Sequence, residues 1–169
     1  MNIWFREASA ADYAPTRALV RDAFRDSDPQ GTAGFLDALR DDGCILGEWL
    51  GEDATGLLAH IVFSRVWVEQ QGGNRVAAAM LTPLAVRPDR QREGLGTNLT
   101  KFALEALERS GESLFFVIGH PTYYPRVGFQ SDLAASVESR WGKTPAFMAR
   151  GTSIPAGRLV LPKSIAAAH

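Results

Sequence analysis

Apolar positions recur at helical spacing in two segments near the start of the chain. Ser9, followed three residues later by Asp12, resembles a capping box and predicts that the first helix begins there. That helix is expected to end near Asp26, and its inward side chains are predicted to be Leu19, Val20, Ala23 and Phe24. A turn-rich loop is predicted at 27–31, and a second, shorter helix ends near Gly43, with Phe35, Leu36 and Leu39 marking it.

Runs of β-branched and aromatic residues predict a sheet. The strands are expected at 2–7, 44–50, 57–69, 76–86 and 113–119, with two more at 146–150 and 158–162. Short turns join the second, third and fourth of these into an antiparallel meander. Strand 76–86 is nearly all apolar and is therefore expected to be buried on both faces.

A longer amphipathic helix is predicted from Leu95 to Arg109, with Gly111 supplying its end. Its apolar face consists of Leu99, Phe102, Ala103, Ala106 and Leu107. The order of elements indicates an α/β (α+β) fold, in which helices flank a mixed, mostly antiparallel central sheet. A single domain spanning residues 1–169 is the expected organisation.

Composition narrows the class of protein. The net charge of −1 and the pI near 6.3 argue against a nucleic-acid partner. The single cysteine, Cys44, belongs to no cluster with metal-ligand spacing, so no metal is expected. The chain has no signal-peptide pattern and no apolar run of about 18 residues, so a cytoplasmic protein without membrane contact is predicted.

The segment that joins strand 76–86 to the helix at Leu95 carries the clearest chemistry. A helix N-terminus attracts phosphate through its free N–H groups, and glycines at 94 and 96 let an anion approach the backbone. Arginines add positive charge nearby, at positions 87, 90 and 92. A dinucleotide fingerprint would need glycine where Leu99 stands, and a P-loop would need lysine where Thr97 stands.

The sequence Gln91-Arg92-Glu93-Gly94-Leu95-Gly96 resembles the acyl-CoA loop of the GNAT acetyltransferase superfamily. Val86-Arg87-Pro88 precedes it as in that family, and Tyr124-Pro125-Arg126-Val127-Gly128-Phe129 is similar to the family's second motif. The resemblance covers residues 3 to about 130, and the strands at 146–162 are less diagnostic.

The resemblance implies a GNAT-like fold whose splayed strands form a cleft for acetyl-CoA. Pro83 supports this, because a proline inside a buried strand marks a bulge or a place where strands part. The pantetheine arm would pair with backbone groups of the residues before the loop, and the pyrophosphate with the loop itself. The implied cofactor-binding residues are Leu84, Ala85, Val86, Gln91, Arg92, Glu93, Gly94, Leu95, Gly96 and Thr97.

The resemblance also assigns catalytic roles. Tyr124 is the candidate general acid for the departing thiolate, and adjacent Tyr123 is expected to point elsewhere. The Val86 N–H resembles the family's oxyanion donor. Many members carry a glutamate before the loop, but residues 80–84 contain no carboxylate. The candidate bases are therefore His120, His60 or a water molecule that accepts the proton of the amine.

The predicted function is acetyl-CoA-dependent N-acetyltransfer to a primary amine by direct transfer. The alternative is a non-catalytic acyl-CoA-binding or regulatory module of the same fold, and a longer acyl group also stays open. The acceptor, a small molecule or a peptide, is expected to meet loops 25–34 and 65–76 and the tail. The aspartates at 26 and 28 are candidates to attract a cationic acceptor. The resemblance leaves a homodimer as one of the states open to the chain.

Overall fold

The computed structural model describes residues 2–168, apart from the side chain of Pro29, so the two end positions of the predicted domain lie outside it. The strands are β1 (Trp4–Glu7), β2 (Ile45–Asp53), β3 (Gly56–Glu69), β4 (Arg75–Val86), β5 (Phe115–Ile118), β6 (Val137–Glu138), β7 (Phe147–Arg150) and β8 (Gly157–Val160). The helices are α1 (Tyr13–Ala23), α2 (Pro29–Asp42), α3 (Leu95–Arg109) and α4 (Lys163–Ala167). The predicted α/β (α+β) class is confirmed.

The strands form one sheet in the order β1-β2-β3-β4-β5-β7, and β8 extends it beside β3, with β6 next to β8. Strands β1 to β4 are antiparallel neighbours, which confirms the predicted meander. Only two strand pairs are parallel among residues 2–168, namely β4 with β5 and β6 with β8. The sheet is therefore mixed and mostly antiparallel.

Side chains of alternate residues build a separate core on each face of the sheet. On β3, Val62 and Val66 pack with α1 and α2, whereas Ile61 and Phe63 pack with α3. The predicted inward residues Leu19 and Val20 are buried in the first core, and the predicted apolar face of α3 lies in the second. We call these the α1/α2 face and the α3 face.

An irregularity at Pro83 changes which residues of β4 lie on each face. Between Ile61 and Phe63 the partners on β4 move from Leu84 to Leu81, so β4 carries one extra residue. Because side chains alternate with a period of two, one extra residue inverts the pattern beyond it. Leu84 thereby joins the α3 face. The bulge predicted from the proline is confirmed.

Beyond this bulge, β4 and β5 separate. Their pairing ends at Ala79–Phe115 and Met80–Phe116, although β4 runs on to Val86 and β5 to Ile118. Loss of the parallel ladder leaves an opening in the middle of the sheet. This splay confirms the cleft implied by the sequence.

Several local expectations differ from the structure. Residues 29–31 of the predicted loop 27–31 are the first turn of α2, which Pro29 begins and where Asp28 accepts a hydrogen bond from the Gly31 N–H at 3.2 Å. Aspartate followed by proline suits a helix start as well as a turn, so the pattern was ambiguous. At the other predicted start, the Asp12 carboxylate accepts from the Ser9 N–H at 2.8 Å. Strand β6 and helix α4 were not predicted.

Candidate active site

The loop before α3 presents unpaired backbone donors. Arg92 and Gly94 both adopt left-handed backbone conformations, with φ of 68° and 82°. This conformation is easy for glycine and uncommon for arginine, so the loop bends tightly at these residues. The N–H groups at the first turn of α3 have no partner within the helix, and 15 aligned peptide units place positive potential there. The loop therefore offers free N–H donors at the positive end of a helix dipole.

The three arginines of the loop are not equally available to a ligand. Arg87 pairs with Asp89 at 2.6 Å, and Arg90 pairs with Glu93 at 3.0 Å and with buried Asp53 at 2.9 Å. Arg92 is exposed and has no carboxylate within 4 Å among the described residues. Arg92 is thus the cation in this loop that is free to meet a phosphate.

Asp53 is a site residue that the sequence did not reveal. It ends β2, accepts from the Thr55 N–H at 2.8 Å and ties Arg90 to the β2–β3 turn. These hydrogen bonds, from Thr55 first and from Arg90 second, lower the pKa of Asp53 to about 2. An aspartate two residues before a threonine in a turn is a weak signal, and its long-range partner cannot be inferred from spacing.

The end of β4 directs backbone groups into the gap. The Arg87 N–H donates to the Leu58 carbonyl of β3 at 2.7 Å. Since successive peptide groups of a strand point in opposite directions, the N–H groups of Leu84 and Val86 face away from β3, and that of Ala85 faces toward it. The Gln91 side-chain amide donates to the Val86 carbonyl at 3.1 Å, which holds the loop against β4.

Tyr124 of the second motif and the adjacent Tyr123 line the same cavity. Tyr124 is 9% exposed and its ring lies against Gly119, where a Cβ would stand 2.6 Å from the ring. Burial raises the pKa of Tyr124, and the neighbouring Tyr123 adds to the effect, so its hydroxyl stays protonated at neutral pH. Among the described residues this hydroxyl has no hydrogen-bond partner.

The prediction that Tyr123 points elsewhere is wrong. Its hydroxyl accepts from Thr97 Oγ1 at 3.3 Å, and a Cβ on Gly96 would lie 2.5 Å from it. The Tyr123 ring meets that of Tyr124 edge to face, with centroids 5.0 Å apart. The Tyr123 side chain therefore contacts the first turn of α3, and glycine at 96 leaves room for its hydroxyl.

The two candidate histidines lie in different places. His120 is exposed and lines the cavity. His60 is fully buried on β3, outside the cavity lining, and its Nε2 lies 2.7 Å from Glu48 Oε1. Desolvation lowers the pKa of His60, although Glu48 opposes the change. This position does not favour His60 as the base.

The loop before α3, the end of β4, the two tyrosines and His120 all line one cavity of about 1200 Å³. It passes through the opening between β4 and β5, from the first turn of α3 to the α1/α2 face. Within residues 2–168 there is no group of three or more side chains suited to hold a metal ion. In the same part of the chain, no helix has the length and apolar character needed to cross a membrane.

Comparison with known proteins agrees with this geometry. The Acetyltransferase (GNAT) domain family matches residues 5–131. The uncharacterized N-acetyltransferase YhbS of Escherichia coli K12 is 30% identical over 128 residues, which are 75% of this chain and 73% of YhbS. The uncharacterized N-acetyltransferase YjhQ of the same strain is 38% identical over 73 residues, 43% of this chain and only 40% of YjhQ.

Solved structures share the whole fold. A GNAT family acetyltransferase from Brucella melitensis, in complex with acetyl-CoA, has a TM-score of 0.81 and 26% identity and covers 97% of this chain and 98% of its own. Escherichia coli YhbS in complex with CoA has a TM-score of 0.85 and 23% identity, covering 98% and 93%. The chain belongs to the GNAT superfamily and is a GNAT-type acetyltransferase.

Proposed function

We propose that this chain binds acetyl-CoA in the gap between β4 and β5 and transfers its acetyl group directly to a primary amine. The observation that carries the proposal is the cavity that crosses the sheet there. It joins the loop before α3 on one side to an open chamber on the other, and Tyr124 lines it. Two substrates could thus approach one point from opposite faces.

The proposed binding mode uses groups without other partners. The first-turn N–H groups of α3 and the Arg92 guanidinium would hold the pyrophosphate. The N–H groups of Leu84 and Val86 would pair with the pantetheine arm, as a missing strand would. Gln91 and Glu93 act indirectly, because their side chains bond to the Val86 carbonyl and to Arg90.

In the transfer step the amine nitrogen attacks the carbonyl carbon of the thioester, and the carbon–sulfur bond breaks. The amine gives up a proton, and the departing thiolate takes one from the Tyr124 hydroxyl. A backbone N–H in the gap, that of Val86 or Leu84, would stabilise the negative charge on the carbonyl oxygen. The raised pKa of Tyr124 keeps its proton in place until the thiolate forms.

The base is proposed to be His120 or a water molecule. His120 lines the cavity next to the tyrosines, whereas the only carboxylate among the described lining residues is Asp28, at the start of α2. A neutral imidazole could accept the proton of the amine. Replacing His120 with Gln should lower kcat if His120 is the base and leave kcat unchanged if a water molecule serves.

The test is a thiol-release assay with acetyl-CoA over a panel of amines, combined with thermal melting. Acetyl-CoA should raise the melting temperature, and at least one amine should release thiol. Tyr124→Phe should lower kcat by roughly 100-fold at unchanged KM for acetyl-CoA, because only the proton donor is lost.

Tyr123→Phe is the matched control. It removes the neighbouring hydroxyl, which contacts the first turn of α3, so it should change KM for acetyl-CoA more than kcat. Equal kcat for Tyr124→Phe and the parent chain would refute the assigned acid. A raised melting temperature without thiol release from any amine would favour the non-catalytic alternative.

A further inference from the structure

The cavity ends on the α1/α2 face in a chamber with aromatic and aliphatic walls. We define this acceptor chamber by five half-buried or buried side chains from five separate segments: Phe24, Phe35, Ile118, Trp141 and Ile165. All five pack against the core of the α1/α2 face. Trp141 is also fixed against Phe147, with ring centroids 6.0 Å apart. The walls are therefore ordered apolar surfaces.

Charge is scarce in this chamber. Asp28 is the only carboxylate among the described residues that line the cavity, and it already caps α2 through the Gly31 N–H. A polyamine or an aminoglycoside carries several ammonium groups, and each would lose its hydration here without a partner. One ammonium group near Asp28 or over an aromatic face is the most that the walls can compensate.

The hydroxyl groups of the chamber are also engaged. Thr32 Oγ1 donates to the Asp28 carbonyl at 2.7 Å, and Ser164 Oγ donates to Asp42 at 2.6 Å. Their protons are used inside the protein, so a ligand rich in hydroxyl groups would find few free donors. The surface that remains available is apolar, and burial of an apolar ligand on it is the main favourable term.

Resting on the proposed function, we infer that the acceptor is a primary amine carried on an apolar, aromatic body, as in an arylalkylamine. Its ring would lie between Phe35 and Trp141, and its amine would point through the sheet toward the thioester. Polycationic amines would be poor acceptors because the chamber supplies one carboxylate.

The experiment compares phenethylamine with spermidine in the thiol-release assay at saturating acetyl-CoA. Binding of each amine to the protein in the presence of CoA is measured in parallel by calorimetry. We expect kcat/KM for phenethylamine to exceed that for spermidine by at least roughly tenfold. Equal values, a preference for spermidine, or binding of neither amine would overturn the inference.

Calorimetry separates this inference from the proposed function. Binding of phenethylamine in preference to spermidine without thiol release would refute transfer yet support the acceptor class. Phe35→Ala and Trp141→Ala should raise KM for phenethylamine at least roughly tenfold and leave KM for acetyl-CoA unchanged. The control is Trp4→Ala, since Trp4 is an exposed aromatic on β1 outside the cavity lining.

A gain-of-function variant protects the test against loss of folding. Ala38 lines the chamber from α2, and Ala38→Asp adds a second carboxylate there without removing an aromatic wall. The ratio of kcat/KM for spermidine to that for phenethylamine should rise severalfold. An unchanged ratio in a variant that melts as a folded protein would contradict the charge argument.

Discussion

Glu48 bonds to Arg40, which is largely buried, and to His60, which is fully buried, and its replacement by glutamine is expected to destabilise the protein strongly. Its carboxylate accepts from Arg40 at 2.8 Å and lies 2.7 Å from His60 Nε2. The exposed fractions of the side chains are 5% for Glu48, 10% for Arg40 and 0% for His60. Glu48→Gln preserves size but leaves Arg40 without its counter-charge, so charge compensation is the property changed.

Breaking a buried ion pair by removing one partner costs about 3–5 kcal/mol. The glutamine oxygen can still accept from His60, so we expect the lower value, about 3 kcal/mol at pH 7. For a chain of this length that is a fall in melting temperature of roughly 6–12 °C. The assay is urea unfolding without acetyl-CoA, with thermal melting in parallel.

Glu69→Gln is the matched control. Glu69 lies on β3 and also meets two arginines, Arg75 at 3.5 Å and Arg158 at 3.3 Å. These arginines are 50% and 67% exposed, so water screens the ion pairs. Glu69→Gln should therefore lower the free energy of unfolding by less than about 1 kcal/mol. A loss for Glu48→Gln no larger than that of this control would refute the reasoning.

The same cluster makes stability depend on pH. Burial would raise the pKa of Glu48, but the hydrogen bonds from His60 and Arg40 outweigh it and lower the pKa from 4.5 to about 2. The stabilisation from Glu48 is therefore present above pH 4.5 and is lost as the pH falls toward 2. The difference in free energy of unfolding between the parent chain and Glu48→Gln should become smaller as the pH falls from 4.5 toward 2. A constant difference would contradict the assignment.

His60 contributes in a higher range of pH. Its pKa is lowered in the folded chain, so the unfolded chain binds the proton first and stability declines as the pH falls below about 6.5. His60→Gln should remove this decline, measured by urea unfolding between pH 7 and 5. Because His60 lies outside the cavity lining, kcat should be unchanged at temperatures where the variant is folded; a large fall would restore His60 as a candidate base.

Three further predictions concern the loop. Arg92→Ala should raise the Kd for acetyl-CoA roughly tenfold and make this Kd less dependent on salt, because an unpaired cation that contacts phosphate is removed. Arg87 is already paired with Asp89, so Arg87→Ala should change the Kd less than about threefold. Calorimetry measures both values. Asp53→Asn should raise the same Kd about tenfold at unchanged kcat, because the loop loses its buried anchor, and an unaltered Kd would refute the role. Gly96→Ala should raise KM for acetyl-CoA, since the new methyl group meets the Tyr123 hydroxyl, and adding Tyr123→Phe should restore part of the loss; failure of this rescue in steady-state kinetics would contradict the contact.

The sequence by itself determined the parts of the protein that depend on neighbouring residues. Helix α3 begins at Leu95 and ends at Arg109 as predicted, because apolar spacing and the flanking glycines are local signals. The proline in β4 correctly indicated a bulge and a splay, since a missing N–H constrains the strand wherever it lies.

Only the tertiary structure decided which of these residues are available for chemistry. Sequence spacing did not distinguish the three loop arginines as phosphate ligands, yet Arg90 forms an ion pair with Asp53, which is distant along the chain. The sequence also predicted that Tyr123 points away from the site and left His60 and His120 as alternative bases. Packing instead places Tyr123 against α3 and buries His60 beside Glu48. The physical reason is that burial and ion pairing depend on contacts between segments far apart in sequence, and these contacts form only when the sheet brings the segments together.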